Sequence, residues 1–174
     1  EKLIAHVRTR YKGKLYYSTN WDHFHVPQFW HKLDIIGASG YWDLTTKAKG
    51  DTPTEQELAA RWEEIQASVL AFSAAQKMPI LLTEVGYHTL PWTLSQPWNY
   101  VDDKKSPPDP APQALGYQSF LTAWSSKLKP PTEMAGVFFY AFDPYFGGGA
   151  NDIGYGVRGK PAYDILKRWF DRQR

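Results

Sequence analysis

The chain has 174 residues, a length that fits one domain with one sizeable core. Its 20 basic and 18 acidic side chains leave a net charge of +2, which offers no field to hold nucleic acid or an anionic membrane. The longest apolar stretch, Met78 to Leu82, is far too short to span a bilayer, and the lack of cysteine removes disulfides and thiolate chemistry; that suits the cytoplasm without excluding secretion.

Glu1 to Tyr11 reads as a helix, with Leu3, Ile4, Val7 and Tyr11 at helical spacing. It has no cap before it, so the chain reads as a piece of something longer. Lys14 to Ser18 reads as a strand after the Lys12-Gly13 turn. A short amphipathic segment follows around Val26 to Leu33, and Asp34 to Ser39 is a second strand. The clearest helix starts at Thr52, where Thr52-Pro53-Thr54-Glu55 combines an N-cap, a proline at the first helical position and a capping-box Glu. Leu58, Trp62, Ile65, Val69 and Phe72 then step by four, three, four and three, which draws one buried stripe. Pro79 ends this helix and opens a continuously apolar strand through Thr83, of the kind found in buried parallel sheets.

His88 to Pro112 is a long loop with six prolines and the aromatics Trp92, Trp98 and Tyr100. Connections of that length are usually functional or disordered, and Trp92 and Trp98 are expected to rim a cleft. Another helix puts Tyr117, Phe120, Leu121, Trp124 and Leu128 on one face. Ala135 to Phe142 is the fourth strand, a glycine-rich loop covers Gly147 to Gly159, and the last helix carries Ala162, Ile165, Leu166, Trp169 and Phe170 on one stripe. The alternation implies a parallel sheet with helices packed outside it. Four strands fit a small doubly wound sheet or half of a (β/α)₈ barrel, which takes roughly 250 residues whole; the uncapped opening helix favours the half barrel. No repeat or linker divides the chain, so 1–174 is expected to be a single domain.

Parallel α/β folds place their chemistry at the carboxyl ends of the strands. Those ends carry Asn20, Trp21 and Asp22, then Ser39, Tyr41, Trp42 and Asp43, then Glu84 and Tyr87, then Tyr140, Phe142 and Asp143. Glu84 closes an otherwise apolar strand, where a carboxylate is costly unless solvated or paired. A bland role, capping a loop or pairing with an arginine, weighs about evenly with a functional one. Tyr41 is placed to donate a hydrogen bond to a carboxylate on the neighbouring strand, as a nucleophile needs. With 16 % aromatic residues, eight of them Trp and eleven Tyr, the chain has more flat apolar faces than its core needs, which leans toward sugar binding. Trp21, Trp42, Trp98 and Tyr140 are the stacking candidates, with Asn20 beside them. His23, His25 and His31 lack a carboxylate set at ligand spacing, so no metal site is assigned. Gly147-Gly148-Gly149 lacks the spacing of a phosphate cradle, and no serine-hydrolase elbow is present.

The stretch Leu15-Tyr16-Tyr17-Ser18-Thr19-Asn20-Trp21-Asp22, the run Leu33-Asp34-Ile35-Ile36-Gly37 with Tyr41, and above all Thr83-Glu84-Val85-Gly86-Tyr87 resemble the second half of glycoside hydrolase family 113, the clan-A β-mannanase-like barrels. Ala135-Gly136-Val137-Phe138-Phe139-Tyr140 and Gly159-Lys160-Pro161-Ala162 extend the resemblance nearly end to end. It implies the C-terminal half of a (β/α)₈ TIM barrel, strands five to eight, and a retaining glycosidase that acts on β-1,4-mannan or a related β-glycan without a cofactor. By the resemblance Glu84 is the nucleophile and Tyr41 its hydrogen-bond partner. Two departures stand out. The family's acid/base Glu lies after strand four and has no counterpart here. The strand-eight platform, commonly Trp, is Phe139-Tyr140. Retention needs a second carboxyl about 5–5.5 Å from the nucleophile; within this chain Asp22, Asp43 and Asp143 are the candidates, and none has a context that points to a raised pKa. The expected partners are an oligo- or polysaccharide and a missing N-terminal half barrel, with no nucleic acid and no membrane. Two alternatives stay open: a non-catalytic carbohydrate-binding or pseudo-enzyme domain of the same fold, and a flavodoxin-like sheet, which lacks its glycine-rich first turn.

Overall fold

The computed structural model describes residues 1–47, 51–99, 106–128, 134–145 and 147–173. In chain order the elements are α1 (Lys2–Arg10), β1 (Tyr16–Thr19), a 3₁₀ turn (Trp30–Lys32), β2 (Ile35–Ser39), α2 (Glu55–Gln76), β3 (Ile80–Val85), α3 (Pro110–Trp124), β4 (Met134–Phe139) and α4 (Pro161–Asp171). The strands form one parallel sheet in the order β1-β2-β3-β4. Among the described residues β1 and β4 are its edges.

One face of the sheet carries the core. Ile36, Ala38, Ile80, Leu82 and Val85 are fully buried against the apolar stripes of α2, α3 and α4. Trp62 joins them through edge-on contacts with Trp42, Phe120 and Trp124. The other face is concave. Ser18 on β1 and Thr83 on β3 meet hydroxyl to hydroxyl at 2.5 Å across the intervening strand. In a flat sheet two strands stand about 9.6 Å apart, twice the usual spacing, so this contact requires the sheet to curve as a barrel wall does. Toward the β4 edge that inner face is bare, with Phe138 57 % exposed.

Several expectations shift. Thr54 caps α2, two residues beyond Thr52: its hydroxyl accepts from the Glu57 amide at 3.2 Å, and the Glu57 carboxylate accepts from the Thr54 amide at 2.7 Å. The sequence holds two overlapping capping boxes; Pro53 is buried, and Lys47 adds a 2.7 Å ion pair to Glu57, which favours the second. Ser73 takes the last buried place on the stripe, while Phe72 turns toward Phe24 with ring centroids 5.2 Å apart. Lys77, at φ 52, ends the helix ahead of Pro79. β4 stops at Phe139, so Tyr140 to Phe142 belong to the following loop, where the Tyr140–Ala141 peptide is cis. Leu128 lies beyond the end of α3, and Phe170 is half exposed. No residue of α1 is buried; Arg8 holds the helix through an ion pair to Asp34 and a 2.8 Å bond to the Gly13 carbonyl.

Candidate active site

The carboxyl end of the sheet opens into a cleft. Its floor holds Ser18, Thr19, Ser39 and Glu84; its walls hold Asn20, Trp21, Tyr41, Trp98, Tyr140 and Tyr155. Register breaks bring Glu84 there. The β2–β3 pairing shifts between Ala38 and Ser39, and the β3–β4 pairing shifts between Leu82 and Val85. Such breaks re-aim a strand-end side chain, which here leaves Val85 in the core and Glu84 in the cleft. Gly86 lets the chain close up behind it, since a Cβ there would stand 2.2 Å from the Tyr140 carbonyl oxygen.

Tyr41 donates its hydroxyl proton to Glu84 Oε2 at 2.6 Å. Burial first, then the bond to Glu84, push the Tyr41 pKa far upward, so the hydroxyl remains a donor at any working pH. The Ser39 hydroxyl accepts from the Trp21 amide at 3.2 Å, which ties the end of β1 to β2. Trp98 and Tyr140 line the cleft and are each 46 % exposed, flat faces of the sort that stack on sugar rings.

The family model that matches the chain is Glycoside Hydrolase Family 113, over residues 1–139. The chain belongs to this family. No curated protein sequence matches it. Among solved structures, the family 113 β-mannanase of Alicyclobacillus acidocaldarius in complex with ManMIm is similar with a TM-score of 0.79 at 22 % identity; the match covers 98 % of this chain and 49 % of that one. A complex of a family 113 β-1,4-mannanase gives 0.76 at 21 %, with 98 % and 49 % covered. The β-glucuronidase of Ruminococcus gnavus gives 0.61 at 12 %, with 97 % and 28 % covered. The chain thus spans about half the length of the family 113 structures that it matches. The parallel sheet with its outer helices is the α/β architecture of half a TIM barrel.

Of the residues expected from the sequence, Glu84, Tyr41, Asn20, Trp21, Trp98 and Tyr140 all meet in the cleft. Trp42 does not. It is 6 % exposed and packs edge-on against Trp62, on the helix side of the sheet. Successive side chains of extended chain point to opposite faces, so Tyr41 in the cleft sends Trp42 to the core. Trp92 also leaves the cleft: it lies against the buried His88 ring and faces a separate hollow beside Asp43 and Lys47. Tyr100 falls outside the described residues. Of the three aspartates proposed as a second carboxylate, none lines the cleft. Asp22 pairs with His23 at 2.7 Å, Asp143 accepts from the Tyr145 amide at 2.8 Å, and Asp43 faces the neighbouring hollow. Among the described lining residues Glu84 is the one carboxylate.

Tyr155 was not anticipated. It lies in the glycine-rich loop after β4, where no periodicity marks an inward position. Its ring stands 5.9 Å from Tyr41 and 5.5 Å from Tyr140, and its hydroxyl donates to the Pro97 carbonyl at 2.5 Å. The one signal available was a tyrosine set among glycines at the sugar-facing end of the last strand.

Proposed function

We propose that residues 1–174 form the C-terminal half of a single barrel domain whose reaction is the retaining hydrolysis of β-1,4-mannan or a related β-glycan, with Glu84 as nucleophile. The observation that carries this is the Tyr41–Glu84 bond at the floor of an aromatic-walled cleft. Family membership supports the glycosidase assignment, and the similar family 113 structures, which are β-mannanases, suggest mannan. Tyr41 engages Oε2 and keeps the carboxylate aimed, which leaves Oε1 to face the sugar. Oε1 attacks the anomeric carbon as the glycosidic bond breaks, and the leaving oxygen takes a proton from an acid. Water, deprotonated by the same group, then displaces Glu84 and restores the original configuration.

That acid must be a second carboxyl about 5–5.5 Å from Glu84. With Glu84 the sole carboxylate among the described cleft residues, we assign it to the other half of the barrel, which would also cover the inner face near Phe138. The same single carboxylate favours one rival: a sugar-binding domain of this fold that does no chemistry. Incubating the full-length protein with mannotetraose and following anomers by NMR separates the two. The proposal expects new reducing ends that appear first as the β-anomer and vanish in Glu84→Gln. Saccharide binding without cleavage would select the rival.

A further inference from the structure

The loop between β4 and α4 is held by an ion pair between a buried lysine and a partly buried aspartate. The Asp152 carboxylate accepts from the amides of Gly148 at 2.7 Å and Gly154 at 2.9 Å, and from Lys160 Nζ at 2.9 Å. Lys160 is almost wholly buried, and its ammonium also donates to the Gly154 carbonyl at 3.1 Å and to Thr89 Oγ1 at 3.2 Å. Thr89 closes the circuit: its amide donates to the Ile153 carbonyl at 3.1 Å, and its hydroxyl donates to the Asp152 carbonyl. A charge pair taken out of water is costly unless its geometry is complete. Here the three Thr89 bonds join the loop after β4 to the segment just past Glu84, and the others tie that loop to itself.

Tyr155 sits between these ties and the cleft. Its ring packs at a steep angle against the Tyr41 ring, whose hydroxyl must stay within 2.6 Å of Glu84. Its own hydroxyl binds the Pro97 carbonyl, and that carbonyl belongs to the peptide leading into Trp98. Fixing this peptide plane fixes the backbone from which the indole projects. We infer that Tyr155 is a positioning residue of the cleft: its ring holds Tyr41 against Glu84, its hydroxyl sets Trp98, and the Asp152–Lys160 pair fixes the loop that carries it. The inference rests on the roles proposed above for Tyr41, Glu84 and Trp98.

The test uses the full-length protein with mannotetraose. Tyr155→Phe removes one hydrogen bond and keeps the ring, so KM should rise about 3- to 10-fold with a smaller change in kcat. In a Trp98→Ala background the same change should add nothing, because its effect passes through Trp98. Tyr155→Ala frees Tyr41 and should cut kcat by about 10- to 100-fold, a loss that shrinks in a Tyr41→Phe background. A purely structural tyrosine would lower Tm, leave kcat and KM of the folded protein unchanged, and act additively with Trp98→Ala; that result overturns the inference. If the protein binds but does not cleave, the catalytic proposal fails while the same cycle on Kd still decides the Trp98 link. If it does neither, the Trp98 indole N–H resonance, assigned by its loss in Trp98→Ala, should shift or broaden in Tyr155→Phe. An unmoved resonance overturns the inference.

Discussion

A carboxylate that attacks carbon must be held in one orientation, and a single strong donor does much of that. Tyr41 supplies it to Glu84 at 2.6 Å. Hydrogen bonds to charged groups contribute about 1.5–3 kcal/mol, so Tyr41→Phe should lower kcat by roughly 10- to 100-fold and Tm by no more than several degrees. The next residue gives the opposite outcome. Trp42→Ala should cost about 3–5 kcal/mol of stability, the range for a buried aromatic cut to Ala, and leave the saccharide Kd of the folded protein unchanged. Urea melts and calorimetric titrations on both variants check the pair; a Trp42→Ala protein that melts normally but binds weakly would return Trp42 to the cleft. This contrast marks how far sequence reaches. The places of Glu84 and Tyr41 in the cleft were legible because a charged side chain at the end of an apolar strand has few places to go, and Tyr41 follows the neighbouring strand end. Trp42 was misplaced because its flanking looks like that of Tyr41, and only strict alternation tells them apart.

At the scale of elements, the stripes of α2 and α3 and the apolar run of β3 show in the sequence because periodicity follows burial directly. Exact ends did not, since Thr52 and Thr54 both begin workable capping boxes and a tertiary contact from Lys47 favours one. The loops were least legible: the Asp152–Lys160 tie joins Thr89 to residues more than sixty positions away, and no local pattern encodes it. These ties have a pH signature. The Arg8 guanidinium and the Leu15 amide hold Asp34 below its ordinary 3.8, and Lys47 and Thr54 hold Glu57 down at about 2 against 4.5. Burial pushes Asp152 up, but Lys160 and the two glycine amides outweigh it, and its net shift is also downward. A depressed carboxylate stabilises the fold fully above its unfolded value and loses that contribution as pH falls through the folded one. Burial also holds the His88 imidazole below its ordinary 6.5, so stability should begin to fall below about pH 6.5 and decline further from about pH 4.5 toward pH 2. Urea midpoints measured across that range check it, and Asp152→Asn should flatten part of the decline. A midpoint that rises on acidification would contradict the assigned ties.

For the whole molecule, curvature and polarity point the same way. Ser18 and Thr83 touch only because the sheet bends, and the bend gathers the carboxyl ends of all four strands around Glu84. Helices cover the convex face, while the concave face and the edges at β1 and β4 keep Tyr16 and Phe138 in solvent. The second set of strands proposed above would cover both edges and carry the acid, which is why the chemistry is best tested in the full-length protein. The most direct test is anion rescue of a truncated nucleophile. Glu84→Ala should lose roughly 10⁴-fold or more in rate on an aryl β-mannoside, the scale of losing a covalent catalyst. Azide entering the vacated space should then restore turnover and give the α-mannosyl azide, inverted relative to substrate. Near-full activity in Glu84→Ala, or a loss that azide does not relieve in a protein that melts normally, would contradict the assignment of Glu84 as nucleophile.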